Sequence, residues 1–384
     1  MAIFRSSPNA MAAAFVSAAG SLPQHMMALL VALAIHDGLA TVGRAGWIST
    51  AFTVGLLTGS VGLPAAGVTR ITKVGALALL VASICSLAFS LIPIFELTLI
   101  AWCFVGVACG GLNLLMSLFA AKREDRRSVL RLRLGIVLLA SSSVFAVAHF
   151  AGALSTYASA VLALLCAFGL ITVGAAPQYD GSVGRSSPGA PQSISVGERG
   201  AWPSLLLVAA FFVGQPGYTA YAAHIATANG VSLLALPAIY AGCKFAAACA
   251  LLGPSSSGSD SPKFLISIGL SAAIGVMAAA STAWAFACGL LLWELCVNLQ
   301  STRFQSAVLG TFPRSGGRWL SASIAIGAAA GPAIHGWAIS IGAGLFFAIF
   351  SALTAFLPMV WIIHARRLAR RTRPDLGPKS LASG

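Results

Sequence analysis

The stretch PQYDGSVGRSSPGAPQSISVGERG, from Pro177 to Gly200, is rich in Ser, Gly and Pro and holds no Leu, Phe or Trp. Such a segment has too little apolar surface to build a packed core and reads as a flexible linker. Its surroundings are the opposite. The 384-residue chain is 58% hydrophobic and 8% charged, whereas a soluble domain carries about 25% charged residues. This composition excludes a soluble globular protein, and also a disordered one, because so apolar a chain does not stay solvated. A spanning helix needs about 20 mainly apolar residues, and dividing 384 residues among twelve leaves 32 for each helix and its loop.

Working outward from the linker, apolar runs predict six spans before it, at 10–35, 46–67, 74–94, 97–121, 133–155 and 157–176. Six more follow, at 202–225, 231–253, 264–281, 284–303, 318–340 and 342–363. The expected organisation is an all-α integral membrane protein. It has an N-terminal six-helix bundle (1–176), a cytoplasmic linker (177–201), a second six-helix bundle (202–364) and a basic tail (365–384). The first run is too long for a cleaved signal core and is expected to be retained. Forty glycines spread through the spans suit closely packed membrane helices. The eight cysteines all fall in apolar runs without a CxxC or Cys/His cluster, so free thiols are expected, with no metal site and no cofactor.

A net charge of +14 would suggest nucleic acid in a soluble protein. Here the charge sits in alternate loops: Arg70 and Lys73, then Lys122, Arg123, Arg126, Arg127, Arg131 and Arg133, then Arg185, Arg199, Lys263, Arg303, Arg314 and Arg318, and finally the tail. Of 23 basic residues, only Arg44 falls on the other side and only Lys244 lies deep in a span. By the loop-charge rule both termini are cytoplasmic, in a multi-pass protein of a bacterial inner membrane. The run Lys122–Arg133 and the tail are expected to fix topology and meet anionic lipid, with no nucleic-acid partner. Trp47, Trp202, Trp319 and Trp361 near span ends read as interfacial anchors.

The two halves echo each other. Span one is interrupted by Gly20-Ser21-Leu22-Pro23-Gln24 and span seven, at similar depth, by Gly214-Gln215-Pro216-Gly217. Interrupted helices at matching places in two halves point to a transporter's substrate site.

Three segments then carry a family resemblance: Arg44-Ala45-Gly46-Trp47-Ile48-Ser49-Thr50-Ala51-Phe52, the loop Thr69-Arg70-Ile71-Thr72-Lys73, and Gly106-Val107-Ala108-Cys109-Gly110-Gly111. They resemble, respectively, the second-helix entry, the Asp-Arg-x-Gly-Arg loop and the Gly-rich fourth helix of the major facilitator superfamily. The resemblance implies twelve helices in two bundles and a central cavity lined by spans one, four, seven and ten. Thr69 stands where that family carries an acid, and Trp102 where many proton-coupled members carry an Arg. The Gly-x-x-x-Gly-Pro pattern of drug/proton exporters is absent from span five and occurs instead as Gly327-x-x-x-Gly331-Pro332 in span eleven.

Ionisable side chains inside the hydrocarbon cost about 2.5–3.5 kcal/mol each on insertion scales and are functional candidates for that reason. Lys244 and Glu294 differ in depth by only about 4–5 Å at roughly 1.5 Å rise per residue, so they are expected to pair across facing helices. The functional reading makes Lys244 available to an anionic group and Glu294 a proton carrier; the alternative is a permanent pair that sets helix register. Tyr240 and Asn298 lie one turn from Lys244 and Glu294 respectively. Gln215, Tyr218 and Tyr221 share a face of span seven, Gln24 and His25 sit at the middle of span one, and Asn113 lies at about the depth of Asn298. These ten residues are the candidate substrate site, with His149 and His335 as further proton-coupling candidates. For each Asn or Gln the alternative is interhelical hydrogen bonding, worth about 0.6 kcal/mol on average in membranes.

No Walker loop, His-Glu-x-x-His or Gly-x-Ser-x-Gly is present, and no enzymatic chemistry is expected. The expected function is secondary transport of a small organic solute, anionic or zwitterionic and ring-bearing. Uptake is preferred to proton-coupled export, and a non-transporting sensor or scaffold is the alternative from another class. A cysteine-accessibility scan of residues 177–200 in intact cells should find them reachable only from the cytoplasm; labelling from outside would overturn the topology.

Overall fold

The computed structural model describes residues 8–62, 73–121, 126–150, 156–175, 202–253, 263–311 and 316–361. The expected linker at 177–201, the loop at 69–72 and the tail at 365–384 lie outside the described residues. Within them the chain forms twelve α-helices: α1 (Pro8–His36), α2 (Val42–Leu57), α3 (Lys73–Phe89), α4 (Phe95–Ala121), α5 (Arg126–Phe150), α6 (Tyr157–Ala175), α7 (Trp202–Ala228), α8 (Leu236–Leu252), α9 (Lys263–Ala279), α10 (Ala283–Thr311), α11 (Gly316–Ser340) and α12 (Gly344–Thr354). A π-helical turn, Thr58–Gly62, extends α2. Among the described residues, seven helices are long and apolar enough to cross a membrane, and four shorter apolar helices stand among them. Large apolar side chains such as Phe104, Phe150, Leu206, Trp284 and Phe346 face outward, a surface that lipid covers and water would not tolerate.

Helices α1–α6 and α7–α12 repeat one contact pattern. The first helix of each half packs on its fifth and sixth, the second on the fourth, and the third on the fourth and sixth. Between halves, α2 meets α11 and α5 meets α8, which are equivalent contacts under that repeat. The expected interruptions of spans one and seven are absent: α1 runs unbroken through Pro23 and α7 through Pro216. In lipid an orphaned backbone group costs several kcal/mol, whereas one proline removes one donor that neighbouring groups compensate, so the helix continues. The fifth helix also begins seven residues earlier than expected, because Val129, Leu130 and Leu132 are buried although Arg131 lies among them. Trp361, read as an interfacial anchor, is instead buried against Phe304 at 5.7 Å.

Close approach rests on glycine. On α2 and its π-turn extension, Gly55 and Gly59 lie against the backbone of Cys103 and Val107, while on α4 Gly106 and Gly110 lie against Phe52 and Leu56. A Cβ at any of the four would overlap the facing chain. At the other end of α2, Gly46 meets Pro332 of α11 in the same way, and Gly327 and Gly331 carry α11 onto α7. Overpacking such a contact costs about 1–3 kcal/mol or more. Gly106→Val should therefore lower the melting temperature and the monodisperse yield in detergent. Gly242→Ala, where nothing lies within 4 Å of an added Cβ, should leave both unchanged or slightly raised.

Candidate functional site

A cavity of about 190 Å³ lies between the two halves, space for on the order of a dozen waters. Polar side chains reach it from Ser21, Gln24 and His25 of α1, Ser49 and Thr53 of α2, Ser60 of the π turn, Asn113 of α4 and Arg133 of α5. The second half supplies Gln215 and Thr219 of α7, Tyr240 and Lys244 of α8, and Trp293, Glu294, Asn298, Ser301 and Gln305 of α10. Leu320, Ile324 and Ala328 of α11 add an apolar wall. The wall thus includes α2, α5, α8 and α11 besides the four spans expected. Toward the α1–α2 loop the halves meet: Thr50 Oγ1 donates to Ala329 O at 2.7 Å, and Gly43 lies against Ser340. Beyond Thr50, α2 and α11 turn their side chains to the cavity.

Lys244 Nζ donates to Glu294 Oε1 at 2.5 Å, and both side chains are buried. Asn298 Nδ2 donates to Glu294 Oε2 at 3.0 Å and to the Glu294 carbonyl at 2.7 Å, so both carboxylate oxygens are engaged. The Tyr240 ring lies 5.9 Å from Lys244 Nζ, stacks on Phe145 at 5.3 Å and leaves its buried hydroxyl without a partner. A buried pair held this way is neutral overall, and removing either member would strand a charge.

Gln24, His25 and Asn113 stand on the opposite wall. Gln215 reaches the wall with its amide committed: Nε2 donates to Ser351 O (2.8 Å) and Thr354 Oγ1 (3.2 Å), and Oε1 accepts from Trp293 Nε1 at 3.0 Å. What it presents to the cavity is a fixed Trp293.

Four candidates are not among the cavity-lining residues. Tyr218 is buried, donates to Ile274 O at 3.2 Å and stacks on His335. Tyr221 turns to α2, where its hydroxyl accepts from Gly46 N–H (2.7 Å) and donates to Val42 O (2.8 Å). Residues three apart on a helix drift around it, which carries Tyr218 and Tyr221 off the face of Gln215. His335 is buried, with Nδ1 2.9 Å from Gly217 O and its ring stacked on Phe347 at 4.2 Å. His149, near the end of α5, is exposed.

Arg133, whose charge predicts a loop position, stands in the cavity wall. Its Nη2 donates to Ser21 Oγ at 2.7 Å and to Asn113 Oδ1 at 3.0 Å. Ser21 Oγ donates in turn to Asn113 Oδ1 (2.8 Å), whose Nδ2 donates to Gly20 O (3.1 Å). The signal was available in the period: Arg133 lies four residues from both Val129 and Val137, on the stripe that α5 buries. Arg131, from the same basic run, donates from Nε and Nη2 to Leu251 O at the end of α8 (3.1 and 2.8 Å), capping carbonyls the helix itself leaves open.

No family model and no curated protein matches the sequence. In structure the chain is similar to the human organic anion transporter MFSD10, with 16% identity and a TM-score of 0.59 over 91% of this chain and 97% of that one. It is similar to a point mutant of the nucleoside transporter NupG, with 10% identity and a TM-score of 0.68 over 92% and 99%. It is also similar to FucP, a major facilitator superfamily transporter in the outward conformation, with 14% identity and a TM-score of 0.60 over 94% and 99%. Identities this low speak to fold alone. With the repeated six-helix halves and the cavity between them, they show a multi-pass membrane protein that has the fold of the major facilitator superfamily.

Proposed function

We propose that this protein is a secondary transporter, moving a small organic solute across a bacterial inner membrane by alternating access. The observation that carries the reading is the cavity between two repeated halves, walled by both and holding a buried ion pair. Closure at one end, where α2 meets α11, together with side chains that continue to line the cavity toward the other, is the arrangement such a cycle needs. Loop charge supports termini on the cytoplasmic face.

The solute is an anionic or zwitterionic, ring-bearing compound. Cationic side chains and the rings of Trp293 and Tyr240 on one wall support this class, and one structural neighbour is by name an organic anion transporter. Gln24, His25, Asn113, Tyr240 and Asn298 are the polar contacts on offer. Glu294, bonded to Lys244 and Asn298, is the proton carrier of choice, since His149 and His335 do not line the cavity. The missing exporter pattern in α5 supports uptake.

Purified protein in proteoliposomes, given an imposed proton gradient and a panel of labelled anionic, zwitterionic and neutral solutes, should show flux of at least one. No flux from a folded protein would favour a sensor or scaffold. The ion pair sharpens the test. Lys244→Met and Glu294→Gln should each cost about 3–5 kcal/mol, because each strands a buried charge. The double variant should return to within about 1 kcal/mol of the original protein while transporting at under a tenth of its rate. Full transport in the double variant would make the pair purely structural, and additive losses would show that the two side chains do not interact.

A further inference from the structure

Among the described residues, the cavity's charges do not balance. Its ionisable lining residues are His25, Arg133, Tyr240, Lys244 and Glu294. Lys244 and Glu294 neutralise each other at 2.5 Å. The other acidic side chains among the described residues are engaged elsewhere: Glu96 with Arg44 at 2.7 Å, and Asp37 with His36 and the Tyr157 N–H. Arg133 therefore has no carboxylate partner among the described residues. What holds it is a set of neutral dipoles, Ser21 and Asn113, at one nitrogen, while its Nε is buried without an acceptor. His25 stands within electrostatic reach of both Arg133 and Lys244, so the two cations address one region of the cavity.

A guanidinium in a low-dielectric site is costly unless an anion compensates it. Its planar fork of donors matches the paired oxygens of a carboxylate, as it does those of a phosphate, and a carboxylate brings the single negative charge. We propose that Arg133 is the anion site of this cavity and that the solute is a singly charged organic anion, its carboxylate on the guanidinium. The proposal rests on the transporter reading and deepens it. It assigns recognition to the first half and leaves the Lys244–Glu294 pair in the second half closed on itself. One net positive charge fits one negative charge: a neutral solute leaves Arg133 uncompensated, and a dianion buries an excess negative charge. Trp293, Leu290 and Ile324 then face the body of the solute.

The test uses full-length protein in nanodiscs and binding of radiolabelled benzoate, competed by benzamide, its neutral counterpart, and by phthalate, a dianion. Benzoate should bind, with benzamide and phthalate each at least tenfold weaker. Arg133→Gln should lose at least tenfold in benzoate affinity while eluting as the same monodisperse species. Arg133→Lys should bind more weakly than the original protein yet still prefer benzoate to benzamide. Gly242→Ala, outside the cavity lining and with open space for the added Cβ, should keep benzoate affinity within about threefold. Should Arg133→Gln not fold, the Lys variant decides: equal affinity for benzoate and benzamide there overturns the proposal. Undiminished benzoate binding in Arg133→Gln, binding lost only in the Lys244/Glu294 double variant, or tighter binding of phthalate overturns it as well. If the original protein ignores benzoate but binds or moves neutral or cationic solutes, the Arg133 site falls and the transporter reading stands. If it neither binds nor moves any solute, the transporter reading itself falls.

Discussion

Lipid offers no hydrophobic force to press one apolar helix onto another, so helices in a bilayer associate through close packing and backbone approach. In this chain that approach is concentrated on α2. Its first turns put Gly43 and Gly46 against α11, in the other half of the molecule, and its last turns put Gly55 and Gly59 against α4, in its own half. The helix is thus committed to two partners at its two ends. Between them the commitment changes over, with Thr50 bonded to Ala329 and Thr53 already at the cavity. The cavity opens beside the Thr50–Ala329 bond, where Ser49, Thr53 and Ser60 face it from one side and Ala328, Ile324 and Leu320 from the other.

That cavity is charged in an uneven way. The second half carries two opposite charges that satisfy each other, with Asn298 completing the carboxylate's bonds. Among the described residues, the first half's wall carries one guanidinium, Arg133, bonded to the neutral Ser21 and Asn113. A closed pair contributes little field, because its two ends nearly cancel, whereas a guanidinium bonded to hydroxyl and amide dipoles keeps its net charge. The same residue type elsewhere in the chain is spent differently: Arg44 pairs with Glu96 in the open, and Arg131 closes the end of α8. Position on the helix, and not residue type, decides which arginine faces the cavity.

The fold was legible because its signals are long. Apolar runs of about twenty residues, one soft segment and alternating loop charge give twelve spans in two sixes. Lys244 and Glu294 were legible too, since two isolated ionisable groups at equal depth have few alternatives to each other. The failures are short-range. Gly and Pro at 20–24 and 214–217 suggested breaks, but one missing donor does not end a helix that lipid forces to keep its hydrogen bonds. Tyr218 and Tyr221 were assigned by spacing along one helix, whereas the carbonyls that hold their hydroxyls belong to Ile274 and Val42, residues far away in sequence. Arg133 is hidden by its charge: a basic residue beside a loop satisfies the topology rule, and only its place on the buried stripe with Val129 and Val137 marks it as facing the cavity.

Tyr221 shows what the misassignment concealed. Val42 O and Gly46 N–H stand four residues apart at the start of α2, the two ends of an ordinary helical hydrogen bond, and the Tyr221 hydroxyl bonds to both. A side chain from the second half is thereby inserted into the backbone ladder of the first, where such insertions are known to bend helices. Gly46 and Gly336 make the room, since a Cβ on either would meet that hydroxyl. The contact therefore couples the local geometry of α2 to the relative position of the bundles. At about 0.5–1.5 kcal/mol per hydrogen bond, the two bonds of Tyr221 and the one from Thr50 give this closed end a few kcal/mol. That is enough to favour one arrangement and small enough for a bound solute to offset, which is the energetic condition that the proposed alternating access requires.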